Sequence, residues 1–129
     1  MSFQKNIIST DKAPAAVGTY SQGVFFNGVY FFSGQIGLDA KTGELPASFD
    51  DQLNNILNNI DGLLESQGLT RHNIIKTTIF MTDLAQFAKV NEAYVNYFPT
   101  PYPARSCVQV SALPKGAVIE IEVLAAKNV

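Results

Sequence analysis

The sequence predicts an α+β protein in which two helices cover one face of a single sheet. Two segments have the apolar spacing of amphipathic helices, and the other apolar segments are short and separated by turn residues. The predicted elements follow the order β-β-β-α-β-α-β-β, with no repeat and no linker. The length of 129 residues suits a single domain, residues 1–129, and 47% of the residues are hydrophobic, as expected for a packed core.

The predicted sheet begins with a short strand and a hairpin. Residues 3–8 predict the strand, and residues 11–19 predict a loop rich in alanine, proline and glycine. Val24–Phe26 and Val29–Phe32 predict the hairpin, because the Asn27-Gly28 pair between them supplies the positive φ angles of a two-residue type I′ turn.

The most regular apolar pattern predicts a helix over residues 49–67, after a loop over residues 37–47. The apolar positions recur at helical spacing: Phe49, Leu53, Ile56, Leu57, Ile60, Leu63 and Leu64. Ser48 can cap the start of this helix, and Gly68 can cap its end.

A strand over residues 73–82 and a second helix follow. Asp83 and Gln86 have the spacing of a capping box at a helix start, and the helix is predicted to reach about Tyr97. One stripe of this helix is apolar: Phe87, Val90, Tyr94 and Phe98. Three prolines within residues 99–103 then break the chain.

The last quarter of the chain predicts two strands paired as a hairpin. Residues 103–110 and 118–123 each alternate in character, and the turn residues Leu113–Gly116 separate them. The register of such a hairpin puts four side chains on the same side of the sheet: Arg105, Cys107, Gln109 and Glu120. An arginine and a carboxylate on one otherwise apolar ribbon suit the binding of a small anion with a base beside it.

One face of the predicted sheet lacks a cover. Two helices can cover only one face, yet Val24–Phe32 is a nearly continuous apolar run, as in strands buried on both faces. The simplest cover is another copy of the subunit, which predicts a homo-oligomer with sites near subunit boundaries. The alternative is a monomer in which a loop lies over the second face.

Charge and composition disfavour several classes of function. The net charge is −2 and the nine basic residues are scattered, which argues against nucleic-acid binding. Cys107 is the only cysteine, so no intrachain disulfide can form, and we expect a cytoplasmic protein. We expect neither a signal peptide nor a membrane span, since no run approaches the roughly 20 apolar residues that a bilayer requires. One histidine and one cysteine cannot build a zinc site alone, so we expect no metal.

Arg105 and Glu120 are the residues predicted to perform the chemistry. A guanidinium offers a planar fork that fits a carboxylate. Glu120 lies between two isoleucines, where desolvation raises a carboxyl pKa while a nearby arginine lowers it. The structural alternative for both residues is an ion pair. Glu122 shares the face of Glu120, and the pattern leaves open which of them is closer to the site.

The other candidates are weaker when taken singly. Cys107 has no partner for activation, because His72, the only histidine, falls in a polar loop, so we interpret Cys107 as a small filler whose backbone N–H meets a ligand. Asn91 is predicted on the inward side of the second helix, where it either caps local backbone or touches a ligand. Three more candidates lie beside predicted loops: Tyr20, Ser33 and Gly34.

Five segments, in order over almost the whole chain, form a more specific pattern together: Ala13–Gln22, Phe32–Ile36, Val90–Tyr94, Pro103–Cys107 and Leu113–Ile121. This pattern strongly resembles the reactive intermediate deaminase (Rid, or YjgF) family. The resemblance implies a chorismate-mutase-like fold and a homotrimer with three clefts between subunits. It also implies hydrolysis of 2-imino and enamine acids, such as 2-aminoacrylate and 2-iminobutanoate, to 2-keto acids and ammonia, without a cofactor.

The resemblance further implies a role for each candidate residue. Arg105 would grip the substrate carboxylate, Glu120 would orient the attacking water, and Cys107 would help to hold the substrate through its backbone. The cleft would be lined by Tyr20, Ser33, Gly34 and Asn91. Thr19 departs from the proline that the family commonly has before the Tyr-Ser pair.

Two alternatives to the deaminase stay open. Some family members carry endoribonuclease or translation-inhibitor labels, although the sequence pI of about 5.2 and the scattered basic residues argue against RNA binding here. A non-catalytic binder of small carboxylates could use the same clefts. For the deaminase, the physical logic agrees with the resemblance: an imine is already electrophilic, so a fixed substrate and a positioned water suffice.

Overall fold

The computed structural model describes residues 4–129 and contains, over that range, two α-helices and a mixed sheet of seven strands. The strands are β1 (Asn6–Ile8), β2 (Gly23–Phe26), β3 (Val29–Phe32), β4 (Gln35–Ile36), β5 (Ile74–Met81), β6 (Ala104–Gln109) and β7 (Ile119–Ala126). The helices are α1 (Phe49–Ser66) and α2 (Phe87–Tyr97). The predicted first strand included residue 3, which lies outside the described residues. The two-residue strand β4 was not predicted.

The sheet order is β1-β2-β3-β7-β5-β6, and β4 pairs with β7 beside this path. All pairs are antiparallel except β5 with β6. The side chains of β5 and β7 are alternately buried and more exposed, and the buried set packs against the apolar stripes of the two helices. The predicted α+β class, with both helices on one face, is confirmed.

Local sequence signals account for the turns and helix ends. Asn27 and Gly28 have φ angles of 50° and 86°, so the predicted β2–β3 hairpin turn forms. At the start of α1, the Oγ of Ser48 accepts the N–H of Asp51 at 3.1 Å, which confirms the predicted cap. The second helix begins later than predicted, because Asp83 caps a short 3₁₀ turn and α2 starts at Phe87.

The predicted pairing of the last two strands is wrong. The β5–α2–β6 segment forms a parallel crossover unit, which places β6 directly beside β5. β7 therefore pairs with the other edge of β5, and β5 separates the two strands that were predicted to form a hairpin. Alternation had fixed which residues share a strand face, but not which strands are neighbours.

This topology also overturns the predicted common side of Arg105 and Glu120. Thr77 of β5 is the partner of Arg105 on β6 and of Val123 on β7, whereas Phe80 is the partner of Glu120. Thr77 and Phe80 are an odd number of residues apart, so their side chains point to opposite faces. Within one subunit Arg105 is on the helix-covered face, and Glu120 is on the other face.

The face opposite the helices, called the outer face below, is uncovered. Phe31 and Val108 lie on it, and each is 45% exposed. No loop within residues 4–129 covers these two side chains, so the alternative of a loop-covered monomer is not observed. No helix in that range combines the length and the apolar character needed to cross a bilayer.

Candidate active site

The candidate residues gather in two cavities on opposite faces of the sheet. The first, called the Glu120 cavity, has a volume of about 380 Å³. Its walls come from the loop before β2, the segment around β4 and the turn before β7: Pro14, Ala15, Val17, Tyr20, Gln22, Ser33, Gly34, Gln35, Ile36, Leu38, Pro114, Lys115 and Glu120. Four of the predicted site residues, Tyr20, Ser33, Gly34 and Glu120, therefore line one cavity.

Glu120 is the half-buried carboxylate of this cavity. Burial raises its pKa, and the negative charge of Glu122 raises it further. None of the three ion pairs among residues 4–129 includes Glu120. Glu122 is exposed and lines neither cavity, which resolves the ambiguity left by the sequence.

Gly34 makes room for this carboxylate. A Cβ atom at Gly34 would lie 2.9 Å from the Cδ of Glu120, closer than ordinary contact allows. The side chain of Glu120 therefore occupies space that any other residue at position 34 would fill.

Gln22, a residue that the sequence did not single out as a site residue, holds the cavity wall in place. Its side chain is 4% exposed and accepts the N–H of Thr10 at 2.6 Å. Its amide nitrogen donates to the carbonyls of Thr10 and Pro14 at 3.0 and 2.8 Å. A buried amide with all its groups satisfied fixes the loop whose later residues line the cavity.

The same loop rests on α1 at Gly62. A Cβ atom at Gly62 would overlap the carbonyl oxygen of Lys12, so only glycine lets the loop backbone lie against the helix. At the end of β3, the Oγ of Ser33 donates to the carbonyl of Ser21 in this loop at 2.6 Å. Ser33 thus ties β3 to the loop, while the side chain of Tyr20 stays largely exposed at the cavity mouth.

The second cavity, called the Arg105 cleft, has a volume of about 510 Å³ and opens at the edge strand β6. It is lined by Asn91, Tyr94, Val95, Tyr102, Pro103 and Arg105. The Nη1 of Arg105 donates to the Oδ1 of Asn91 at 2.6 Å. None of the three ion pairs among the described residues includes Arg105. The guanidinium therefore faces the cleft with its charge unpaired.

The structure corrects the predicted orientation of Asn91. Its side chain is exposed rather than inward-facing, and it binds Arg105 rather than capping local backbone. The error arose because Asn91 is next to the buried Val90, and neighbouring helix positions differ by about 100° in direction.

Cys107 lines neither cavity. Its Sγ lies 3.7 Å from the Sδ of Met81, and burial raises the pKa of the thiol, against a smaller opposing effect of Arg105. A raised pKa favours the neutral thiol, which agrees with a packing role for this side chain. His72 is exposed, on a 3₁₀ turn at Arg71–Asn73.

A more open cavity of about 690 Å³ lies beside that 3₁₀ turn. There the Nε and Nη2 of Arg71 donate to the two carboxylate oxygens of Asp61 at 3.0 and 2.8 Å. The hydroxyl of Tyr97 donates to the same carboxylate at 2.6 Å. Arg71 and Asp61 therefore satisfy each other, which indicates a structural role for this pair. Among residues 4–129, no cluster of three or more histidine, cysteine or acidic side chains could hold a metal ion.

The fold and the two cavities describe a two-layer α+β protein that presents an unpaired guanidinium on one face and a half-buried carboxylate on the other. Residues 10–127 match the family model described as Endoribonuclease L-PSP. The chain is 47% identical over 125 residues to Reactive Intermediate Deaminase A, chloroplastic, of Arabidopsis thaliana, covering 96% of this chain and 67% of that protein. It is 42% identical over 128 residues to the 2-iminobutanoate/2-iminopropanoate deaminase of Rattus norvegicus, covering 98% and 93%.

A solved structure of a related protein has a similar fold. The crystal structure of the conserved Rid family protein YyfA from Yersinia pestis matches with a TM-score of 0.93 and 46% identity, over 96% of this chain and 100% of that chain. The chain therefore belongs to the reactive intermediate deaminase (YjgF) family, as its sequence motifs predicted.

Proposed function

We propose that the protein hydrolyses small 2-imino acids and their enamine tautomers to 2-keto acids and ammonia, at sites formed between the subunits of a homotrimer. The observation that carries this proposal is the separation of the two unpaired charges. Arg105 and Glu120 open into different cavities on opposite faces, and neither meets an opposite charge among the described residues. Each cavity holds one half of the chemistry that imine hydrolysis needs.

The uncovered outer face supports an assembly that joins these halves. Phe31 and Val108 are exposed on that face, and the edge strand β6 carries Arg105. Packing the outer faces of several copies together buries this apolar surface and brings the β6 edge of one subunit to the Glu120 cavity of the next. Such a head-to-tail contact closes into a ring, and three copies follow from the family resemblance.

In the proposed reaction, the guanidinium of Arg105 binds the substrate carboxylate and fixes the C=N carbon. The carboxylate of Glu120 accepts a proton from a water whose oxygen bonds to the carbon of the protonated imine, while the C=N π electrons move to nitrogen, which gives a carbinolamine. Glu120 returns that proton to the nitrogen. The C–N bond then breaks, the carbinolamine hydroxyl gives its proton to Glu120, and this proton passes to the released ammonia, which leaves as ammonium beside the 2-keto acid. Burial suits Glu120 to this exchange, since a raised carboxyl pKa makes it a stronger base and a ready donor.

The walls of the Glu120 cavity support a preference for small apolar substrates. Val17, Ile36 and Leu38 line it together with two prolines, within about 380 Å³. A short alkyl side chain of an imino acid fits these surfaces without leaving a polar group unpaired.

The single cysteine of the chain, Cys107, is unpaired, which supports a cytoplasmic location for this chemistry.

A coupled assay tests the activity. Threonine or serine dehydratase generates 2-imino acids, and we expect the purified protein to accelerate release of ammonia and 2-keto acid beyond the dehydratase alone. An unchanged rate at saturating amounts of the protein would contradict the proposal.

A mixing experiment tests the shared site. Co-expressed Arg105→Ala and Glu120→Ala subunits form mixed trimers in which about a quarter of the sites pair an intact arginine with an intact glutamate from its neighbour. We expect the mixture to recover about a quarter of wild-type activity, although each variant alone is inactive. No recovery in demonstrably mixed trimers would refute a site between subunits.

The same two variants separate an enzyme from a binder of small carboxylates. An enzyme loses turnover in both, whereas a binder loses affinity mainly in Arg105→Ala. The family description also names an endoribonuclease. Titration with single-stranded RNA at low and moderate salt tests that activity, because phosphate contacts give affinities that fall steeply with salt.

A further inference from the structure

We propose that three uncharged side chains of α2 hold Arg105 in a neutral cradle (Phe87, Asn91 and Tyr94), and that Asn91 and Tyr94 are positioning residues for carboxylate binding. The cradle orients the guanidinium without neutralising it. This inference rests on the proposed function, because it explains how Arg105 stays available for a substrate carboxylate.

The three cradle residues share one side of α2. They are four and three positions apart, the spacing that aligns side chains along a helix surface. The Oδ1 of Asn91 accepts from Arg105 Nη1 at 2.6 Å. The Cζ of Arg105 lies 4.9 Å from the ring centroid of Phe87 and 5.6 Å from that of Tyr94. An amide oxygen and two aromatic faces thus attract the cation, and none of them carries charge.

Tyr94 is itself held in place by a hydrogen bond to the sheet. Its hydroxyl donates to the Oγ1 of Thr77 at 3.0 Å, and both residues are buried. Burial raises the pKa of Tyr94 to about 12, so the ring stays neutral in the ordinary pH range. The strand β5 therefore sets the position of the ring, and the ring supports the guanidinium above it.

The cradle residues must be uncharged if Arg105 is to bind a substrate carboxylate. A guanidinium has five N–H donors in a fixed fork, and uncharged neighbours leave its positive charge available. Asn91 engages one nitrogen of the guanidinium and leaves the remaining donors for an incoming carboxylate. An aspartate or glutamate in the place of Asn91 would form an ion pair with Arg105 and would compete directly with the substrate for the same charge.

The substitution Asn91→Asp tests this idea with almost no change in shape. We expect it to raise the KM for the imino acid, and the Kd for the product 2-oxobutanoate, by about 10- to 100-fold, with a much smaller change in kcat. Asn91→Ala, which removes the hydrogen bond without adding charge, should raise both constants by less. Asn96→Asp adds the same charge to the same helix away from the cleft, and should leave them unchanged.

Tyr94→Phe gives a second test that does not depend on Asn91. It keeps the aromatic face and removes the bond to Thr77, so we expect a KM increase of about two- to fivefold. Melting temperatures of all variants at one concentration show which of them retain the fold.

Calorimetric titration with 2-oxobutanoate needs no turnover, so the two proposals can fail separately. If Asn91→Asp folds and binds 2-oxobutanoate as tightly as the wild type, the cradle is overturned whether or not the protein is a deaminase. If the affinities follow the expected order but no imino acid is hydrolysed, the cradle stands and the proposed reaction fails.

Discussion

Arg71 and Arg105 have the same guanidinium group in two opposite settings. Arg71 meets the carboxylate of Asp61 through two parallel hydrogen bonds, and Tyr97 donates a third bond to that carboxylate. Among residues 4–129, Arg105 contacts an amide and two aromatic rings and forms no ion pair. The hydrogen bonds that Arg71 donates to Asp61 raise the pKa of its guanidinium.

The comparison extends to the two carboxylates. Asp61 is bound by an arginine and a tyrosine, whereas burial and the nearby Glu122 raise the pKa of Glu120. Paired charges join the turn before β5 to α1 and α2, and unpaired charges face the two cavities of the candidate site. Among the described residues, the candidate site therefore differs from the structural cluster in that its arginine and its carboxylate form no ion pair.

The largest expected effect is the loss of activity in Arg105→Ala, with Arg71→Ala as its control. Arg105→Ala should lower kcat/KM by at least about 100-fold, because the substrate carboxylate loses its charged partner. Arg71→Ala should change kcat/KM by less than about twofold, since that guanidinium binds Asp61 and Tyr97 and lines neither the Arg105 cleft nor the Glu120 cavity. Steady-state kinetics in the coupled assay measure both. Equal losses in the two variants would remove the distinction between the sites.

The second-largest expected effect is a fall in kcat when the space that Gly34 leaves for the Glu120 side chain is filled. In Gly34→Ala the new Cβ would lie 2.9 Å from the Cδ of Glu120, so the carboxylate must move and kcat should fall by about 10- to 100-fold. Gly43→Ala is the control, because its Cβ meets open space. The φ of 75° at Gly43 should cost about 1 kcal/mol of stability without lowering kcat. A Gly34→Ala protein with wild-type kcat would contradict the proposed role of Glu120.

A smaller effect is expected on stability when the paired cluster is broken. Asp61→Asn removes the ion pair with Arg71, and because both side chains are partly exposed the free energy of unfolding should fall by only about 1 kcal/mol. The melting temperature, measured at one protein concentration, should fall by about 3–5 °C. Activity at 25 °C should be unaffected. A large loss of activity with no change in melting temperature would assign Asp61 to the site instead.

The smallest effect concerns the pH profile. Glu120 must be ionised to accept a proton from water, so activity is lost as the pH falls through its pKa. The negative charge of Glu122 raises that pKa, and Glu122→Gln removes the charge. The acid limb of the kcat/KM profile should therefore move to lower pH, while Glu44→Gln, in a distant loop, leaves it in place. A shift to higher pH would contradict the assignment of Glu120 as the base.

Local sequence patterns predicted the helices and turns of this fold well, because residues close in sequence determine where these elements begin and end. The apolar spacing and the Ser48 cap gave α1 within a residue of its observed end, and the Asn27-Gly28 pair gave the β2–β3 turn. The motifs also selected Tyr20, Ser33, Gly34 and Glu120, which line one cavity.

Which strands pair, and to which face their side chains point relative to one another, was harder to predict, because both depend on distant parts of the chain. Alternation fixed the strand faces of Arg105 and Glu120 but not the insertion of β5 between their strands, so the predicted single-face site was wrong. The positioning role of Gln22 depends on a loop whose path no local pattern encodes, although a glutamine directly before an apolar strand was a usable signal.

Gly62 shows how this architecture restricts the engineering of thermostability. Glycine inside a helix is about 1 kcal/mol less favourable than alanine, so a ranking by helix propensity would select Gly62→Ala as an improvement. The added methyl group would instead displace the Lys12 backbone from α1. The loop that α1 supports continues into a wall of the Glu120 cavity, so the residue of α1 with the lowest helix propensity keeps that wall in place.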